Sequence, residues 1–427
     1  MVNNMSKITI AVGAQGGDEG KGKIIDYISS NYDLIIRYQG GDNAGHTVVN
    51  NNGVFHMRLI PSGIFNNKSI CLIGTGTVVN PDTLISEIKY LKEQGISTDN
   101  LVISSKAHLL MPYHIELDKA NEKSQNIIDT TKRGIGIAYA DKALRDNLRF
   151  EDLYDVNSIH RYISNVIPKI NNNLKYYNLP LVDSHKLLNK LEYWKVFFQN
   201  YIVEPVSFVH DFIDKNKSIL FEGQLGLQRD LDFGQYPYVT SSHPSAAYAC
   251  VTSGVPIWKI TNIIGIIRAY PILAGNGPFP TEMDEETASI LRGTGKNIDD
   301  EYGINTRRPR RIGWPDIPLL KYSHQVNGYT ELALCKLDKF DNFSKIKICT
   351  SYIINEKEVS YYPSTNKTQN VIPKYIVIDG WKTSTRHIRN ISDLPYNAKV
   401  FLKIIETSLG VSIRYVGVGP HRFDIAI

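Results

Sequence analysis

Gly13-Ala14-Gln15-Gly16-Gly17-Asp18-Glu19-Gly20-Lys21-Gly22-Lys23 follows the apolar, β-leaning run Ile8 to Val12. A strand later, Gly40-Gly41-Asp42-Asn43-Ala44-Gly45-His46-Thr47 follows a second such run, Leu34 to Tyr38. Glycines where a strand gives way to a helix or loop let backbone N–H groups converge on an anion, and a helix N-terminus adds partial positive charge. The two loops therefore read as phosphate-binding. Asp18, Lys21, Lys23 and His46 bring chemistry into the same place. Gly17 to Lys23 fits G-x-x-x-x-G-K, but Ile24 stands where a P-loop needs a hydroxyl for Mg²⁺. The dinucleotide fingerprint fits poorly too. The loop is thus of another kind, with Asp18 the candidate for a metal.

Outward from these loops, short β-branched strands alternate with helical patterns, which predicts a largely parallel central sheet flanked by helices, an α/β fold. The strand candidates are Ile8–Val12, Leu34–Tyr38, Ile70–Ile73, Leu101–Ser104, Ser218–Glu222, Ile263–Ala269, Glu331–Cys335 and Ile346–Tyr352. About 151–216 the chain is rich in Lys, Asn, Leu and aromatics at helical spacing, with His160, Ile163, Val166 and Ile167 expected on one face. That stretch reads as a helical insertion. No repeat or linker divides the 427 residues.

Composition narrows the function classes. The chain is 42% hydrophobic and 21% charged, ample for a large core. A net charge of +5 is too slight to argue for nucleic acid. Cys71, Cys250, Cys335 and Cys349 lie far apart without C-x-x-C, so neither zinc nor a disulfide framework is indicated. Reduced thiols suit a cytoplasmic protein. No leader pattern opens the chain, and Arg268 interrupts the best apolar run, Ile263 to Leu273.

The quoted loops carry a resemblance. GDEGKGK followed by QGGDNAGHT resembles the adenylosuccinate synthetase family, whose members join aspartate to IMP at the expense of GTP. The likeness recurs in order through Thr130 to Gly136, Asp141 to Arg145, Phe221-Glu222-Gly223, Tyr236 to Ser242, Gly277 to Glu282, Gly313-Trp314 and Lys336-Leu337-Asp338. It implies a single large α/β unit over 1–427 with smaller subdomains, Mg²⁺ as cofactor, and a homodimer.

The chemistry explains the residue types. Purine O6 leaves poorly, so it must first be phosphorylated, and a base must remove the N1 proton to make O6 nucleophilic. By resemblance Asp18 is that base and His46 its partner acid. The resemblance further implies GTP contacts from Gly17, Asp18, Glu19, Gly20, Lys21, Gly22, Lys23, Gly45, His46, Thr47 and Arg310. The guanine readers would be Lys336, Leu337 and Asp338, whose carboxylate accepts from guanine N1–H and N2–H, with the loop Gly417, Val418 and Gly419. IMP would meet Asp18, Lys21, Asn43, His46, Thr131, Arg145, Gln224, Thr240 and Arg308, with Arg145 crossing from a neighbouring subunit. Asn305, Thr306, Arg308 and Arg310 would form the amino-acid loop, the arginines gripping carboxylates as forks. The run Arg307-Arg308-Pro309-Arg310-Arg311 could otherwise be a solvated basic face. Mg²⁺ would sit on Asp18 and Gly45.

Departures gather around the substrate pockets and make this a divergent member. The family usually has Trp where this chain has Gly16. Lys132 stands for Gly, Ile137 for Pro, and His421 for Asp. The family's E-G-A-Q-G reads Glu222-Gly223-Gln224-Leu225-Gly226, and a one-residue shift in an extended strand would turn the glutamine to the opposite face. The amino-acid loop gains Arg307 and Pro309, and Ser242-His243-Pro244-Ser245 also diverges. The main reading is a GTP-dependent ligase making adenylosuccinate in AMP biosynthesis. Its alternatives are a paralogue acting on GMP or dGMP or another amino acid, and a nucleotide-binding regulator without catalysis.

Overall fold

The computed structural model describes residues 6–125, 128–297, 299–303, 309–365 and 370–427. Ten strands share one sheet: Ile8–Gly13 (β1), Leu34–Arg37 (β2), Ile70–Ile73 (β3), Leu101–Ser104 (β4), Ile202–Val203 (β5), Ile219–Gly226 (β6), Asn262–Arg268 (β7), Glu331–Cys335 (β8), Ile413–Gly417 (β9) and Ile425–Ala426 (β10). Their order is β10-β9-β8-β7-β1-β6-β2-β3-β4-β5. Neighbours run parallel except β9 and β10.

Both faces of this sheet are covered, so its strands are apolar at consecutive positions. Leu34 and Ile36 enter one core cluster while Ile35 enters the other, and Leu72 divides from Cys71 and Ile73 in the same way. The helix Lys21–Ile28 (α1) buries Ile24, Ile25 and Ile28 on one face. On the other, the helix Tyr396–Leu409 buries Phe401 and Ile405.

Two sequence expectations change. Ile346–Tyr352 is a strand, but as part of Lys345–Ile354 it pairs antiparallel with Lys357–Val359 and Ile372–Asp379 outside the main sheet. Its alternation of exposed Lys345 and Lys347 with buried Ile346 and Ile348 marks a one-sided sheet. The region about 151–216 is helical, with Ile167–Tyr176, Ser184–Phe198 and Pro205–Asp214, yet it also supplies edge strand β5. His160 is exposed there, whereas Val166 and Ile167 are buried as expected, with Ile163 packed beside them and Tyr162 and Ile170 on the same face. A π turn at Tyr162–Val166 inserts a residue into the winding and rotates the face away from simple 3.6-residue spacing.

The parallel order gathers the loops that matter. Those after β1, β2, β6, β7, β8 and β9 all leave the carboxyl edge of the sheet, where open α/β sheets bind ligands.

Candidate active site

The first loop is shaped from within. Glu19 is fully buried, and its Oε1 accepts from the backbone N–H groups of Gln15 (3.1 Å) and Gly17 (2.9 Å) while Lys21 Nζ donates to Oε2. Glu19 thus holds the turn rather than facing a cavity. Gly20 takes a left-handed φ of 93° to launch α1, and a Cβ there would lie 3.1 Å from Cys335 Sγ. The second loop leads into an antiparallel hairpin, His46–Asn50 with Gly53–Met57, that packs against α1.

Two cavities open along the carboxyl edge. The smaller, about 180 Å³, is lined by Lys21, Lys23, His46, Thr47, Lys336 and Gly419 among others. The larger, about 610 Å³, is lined by Asn43, Thr131, Thr240, Arg229 and the segment Ile272 to Asn276, among others. They meet at a common wall of Asp18, Ala44, Gly45, Leu225 and Arg310. Asp18 therefore borders both chambers. Its Oδ2 lies 2.7 Å from Arg310 Nη2.

His46 is half-buried and lines the smaller cavity. Burial foremost, with the charges of Arg37 and Lys21, lowers its pKa to about 3, against the opposing effect of a hydrogen bond to the Ile60 backbone. Its Nε2 is buried without a partner among the described residues. The imidazole is therefore neutral, with an Nε2 unpaired among the described residues. An arriving polyphosphate would favour the protonated form, the state a partner acid requires.

Asp338 also carries an orphan: its Oδ1 is buried without a partner among the described residues, while Arg386 Nη2 lies 3.2 Å from Oδ2. A free buried acceptor fits a ligand N–H. Leu337 and Val418 are core residues, so any contact from them comes through backbone. Lys23 differs from a phosphate lysine. Its Nζ donates to the carbonyls of Gly419 (2.6 Å) and Asp424 (2.7 Å), and burial lowers its pKa to about 8.

Gln224 does not turn away. The strand bulges between Glu222 and Gly226, and Leu225 adopts φ 61°, so strict alternation fails at that point. Gln224 Oε1 accepts from Arg37 and from Gly41 N (3.2 Å), and its Nε2 donates to Asn43 Oδ1 (3.1 Å). Gly16 has no room for the bulky family residue: a Cβ would lie 2.6 Å from the Ile272 carbonyl and 3.2 Å from Gln228 Oε1.

Arg145 is exposed at the end of the helix Ile135–Leu144 and lines neither cavity. Asn305, Thr306 and Arg308 lie outside the described residues. Two site residues escaped the sequence reading. Arg229 faces the larger cavity, with Nη1 2.7 Å from the Tyr238 carbonyl and Nη2 on that of Ala274. Glu301, 1% exposed, contacts Arg310 across the other wall. Neither sits in a motif or periodic pattern that would single it out.

Mg²⁺ takes one or two protein oxygens beside substrate phosphates and keeps several waters. Asp18 and Gly45, at the junction of both cavities, fit that sparse donor set. Among the described residues no group of three or more His, Cys, Asp or Glu could hold a metal unaided. No helix among them is long and apolar enough to cross a membrane.

Glycine-rich loops, two adjoining cavities and a carboxylate in their shared wall, at the carboxyl edge of a parallel sheet, are the arrangement of an α/β enzyme that holds two ligands side by side. Comparison with known proteins gives that class its family. The adenylosuccinate synthetase family model matches residues 10–426, and the chain belongs to this family. It is 50% identical over 421 residues to adenylosuccinate synthetase 1 of Methanosarcina acetivorans, covering 98% of this chain and 99% of that protein. It superimposes on the fully ligated adenylosuccinate synthetase of Plasmodium falciparum with a TM-score of 0.91 at 33% identity, covering 99% of both chains. The succinoaminodeoxyadenylate synthetase of cyanophage S-2L covers 99% of this chain and 95% of its own, with a TM-score of 0.63 and 20% identity, a likeness of fold alone.

Proposed function

We propose that this protein is a GTP-dependent ligase that joins L-aspartate to IMP through 6-phosphoryl-IMP, giving adenylosuccinate, GDP and phosphate in AMP biosynthesis. The observation that carries this reading is the shared wall: a carboxylate, Asp18, stands where the two cavities meet. GTP in the smaller cavity and IMP in the larger would bring the γ-phosphoryl to O6 past that group.

Asp18 takes the N1 proton, and O6 attacks the γ-phosphorus as the bond to the GDP oxygen breaks. Lys21, backbone N–H groups of the loop and His46 stabilise the charge on the moving phosphoryl oxygens. Asp18 and the Gly45 carbonyl would hold Mg²⁺, whose charge supplies further relief there. Aspartate's amine then adds at C6 and phosphate leaves. Arg310 grips the amino-acid carboxylate as a planar fork, and Asn43, Thr131 and Thr240 seat the nucleotide. Lys336, Asp338 and the Gly417 to Gly419 loop read guanine. Arg145, free of its own cavities, completes the site of a second copy in a cytoplasmic homodimer.

Turnover with GTP, Mg²⁺ and L-aspartate, comparing IMP with GMP and dGMP by product mass, tests this reading. Efficient conversion of IMP is expected. Product only from a guanine nucleotide would keep the mechanism and replace the substrate, and turnover of none would overturn the assignment.

A further inference from the structure

Glu301 belongs to none of the motifs that identify the site, yet several of the site's cations depend on it. Its carboxylate is 1% exposed. Arg268 Nη2 and the Tyr270 hydroxyl (2.8 Å) both donate to Oε1, and Lys336 Nζ stands 3.7 Å from the same oxygen. Arg310 Nη1 lies 3.0 Å from Oε2. Its backbone is held as well, with its N–H on the Arg292 carbonyl (2.8 Å) and its own carbonyl receiving Arg310 N–H (3.0 Å).

One acid thus faces three cations from three loops: Arg268 at the end of β7, Lys336 just beyond β8, and Arg310 on the segment opposite. A buried acid alone would resist ionisation. Burial does push the Glu301 carboxyl up, but Arg268, Lys336 and Arg310, with the Tyr270 hydrogen bond, outweigh it and hold the group below the ordinary carboxylate range. The charges are mutually dependent. Without Glu301, the three cations would face one another in a low-dielectric space and move apart.

Two of these cations serve different substrates in the reading above. Arg310 addresses the amino-acid carboxylate and Lys336 addresses guanine. We propose that Glu301 is a positioning residue that sets both at once, joining the amino-acid site to the GTP site through a single carboxylate. The third cation extends the effect to the loop after β1. Arg268 Nη1 donates to the Asp18 carbonyl (3.1 Å) and Arg268 N–H to Gln15 Oε1 (2.9 Å). Glu301, Arg268 and Lys336 line the smaller cavity and not the larger, whereas Asn43, Thr131 and Thr240 line the larger and not the smaller.

This inference rests on the functional reading above, and its test separates the two. In Glu301→Gln, KM for GTP and KM for aspartate should each rise tenfold or more, while KM for IMP stays within threefold. Glu301→Asp, which keeps the charge, should recover a large part of both losses. Tyr270→Phe removes a donor to the same carboxylate but no cation, and should change neither KM by more than threefold. In a double-mutant cycle, Glu301→Gln and Lys336→Met should raise KM for GTP together by much less than the product of their separate factors. A uniform fall in kcat with all KM values unchanged, or fully multiplicative effects in the cycle, would overturn the proposal. If Glu301→Gln does not fold, Glu301→Asp in the same cycle carries the test, and non-multiplicative effects are again expected. Calorimetric titration of GTP alone reads the Lys336 arm without turnover. It therefore still decides on Glu301 if the wild type proves not to convert IMP.

Discussion

Lys23 Nζ lies 2.6 Å from the carbonyl oxygen of Gly419, and 2.7 Å from that of Asp424, so one ammonium ties the first phosphate loop to the last loop of the chain. The bond places the Gly417 to Gly419 loop beside the smaller cavity. Lys23→Met should raise KM for GTP about tenfold, since a charge-assisted hydrogen bond contributes roughly 1.5–3 kcal/mol, and leave KM for IMP nearly unchanged. Steady-state kinetics with each substrate varied in turn checks this. Equal loss for both nucleotides would contradict it.

Asp18→Asn removes the proposed base and keeps its volume. Turnover should fall by about 10²- to 10⁴-fold, with GTP affinity by calorimetry changed little. Retained turnover would move the base elsewhere.

Asp338→Asn replaces a buried carboxylate whose Oδ1 has no partner among the described residues with an amide that offers one acceptor. GTP should lose more than ITP, because ITP lacks the N2 amine that the carboxylate accepts from. Comparing kcat/KM for the two triphosphates in wild type and variant measures the difference. An equal loss for both would remove Asp338 from guanine reading.

Gly16→Ala places a Cβ 2.6 Å from the Ile272 carbonyl. Overpacking of this kind costs about 1–3 kcal/mol. Because Gly16 and Ile272 both line the larger cavity, KM for the nucleotide monophosphate should rise as the melting temperature falls. Unaltered melting would show that the Ile272 backbone yields freely.

Asp26, on α1, is fully buried, and its pKa is raised from 3.8 to about 7 by burial above all, against the pull of Arg422, 3.3 Å away, and Asn50. Glu222 pushes it in the same direction as burial. A raised folded pKa means stability that is complete below pH 3.8 and lost as pH rises to about 7. Asp26→Asn lacks that slope. Relative to wild type it should therefore gain stability between pH 5 and pH 8, by up to about 4 kcal/mol over the whole titration. Chemical denaturation at the two pH values measures the change, and a constant difference would rule out Asp26 as the titrating group.

The sequence reading found the parallel sheet because strands buried on both faces leave uninterrupted apolar runs, as at Ile8–Gly13 and Ile70–Ile73. It located the glycine loops because their spacing follows directly from what a phosphate requires. It failed where geometry departs from a simple period. The π turn at Tyr162–Val166 moved His160 to the surface, and the bulge before Gly226 kept Gln224 beside Asn43. Lys23, which the family motif assigns to GTP, lines the smaller cavity, and the sequence does not show that its ammonium also donates to two carbonyls from the far end of the chain. Glu301 was illegible for a different reason: a lone acid becomes meaningful only when loops distant in sequence deliver cations to it.

The tie between Lys23 and Gly419 spans 396 positions of sequence. Because Gly419 is made 396 residues after Lys23, the glycine loop is synthesised well before its counterpart exists. The smaller cavity therefore gains its Gly419 wall only after that intervening stretch has been made.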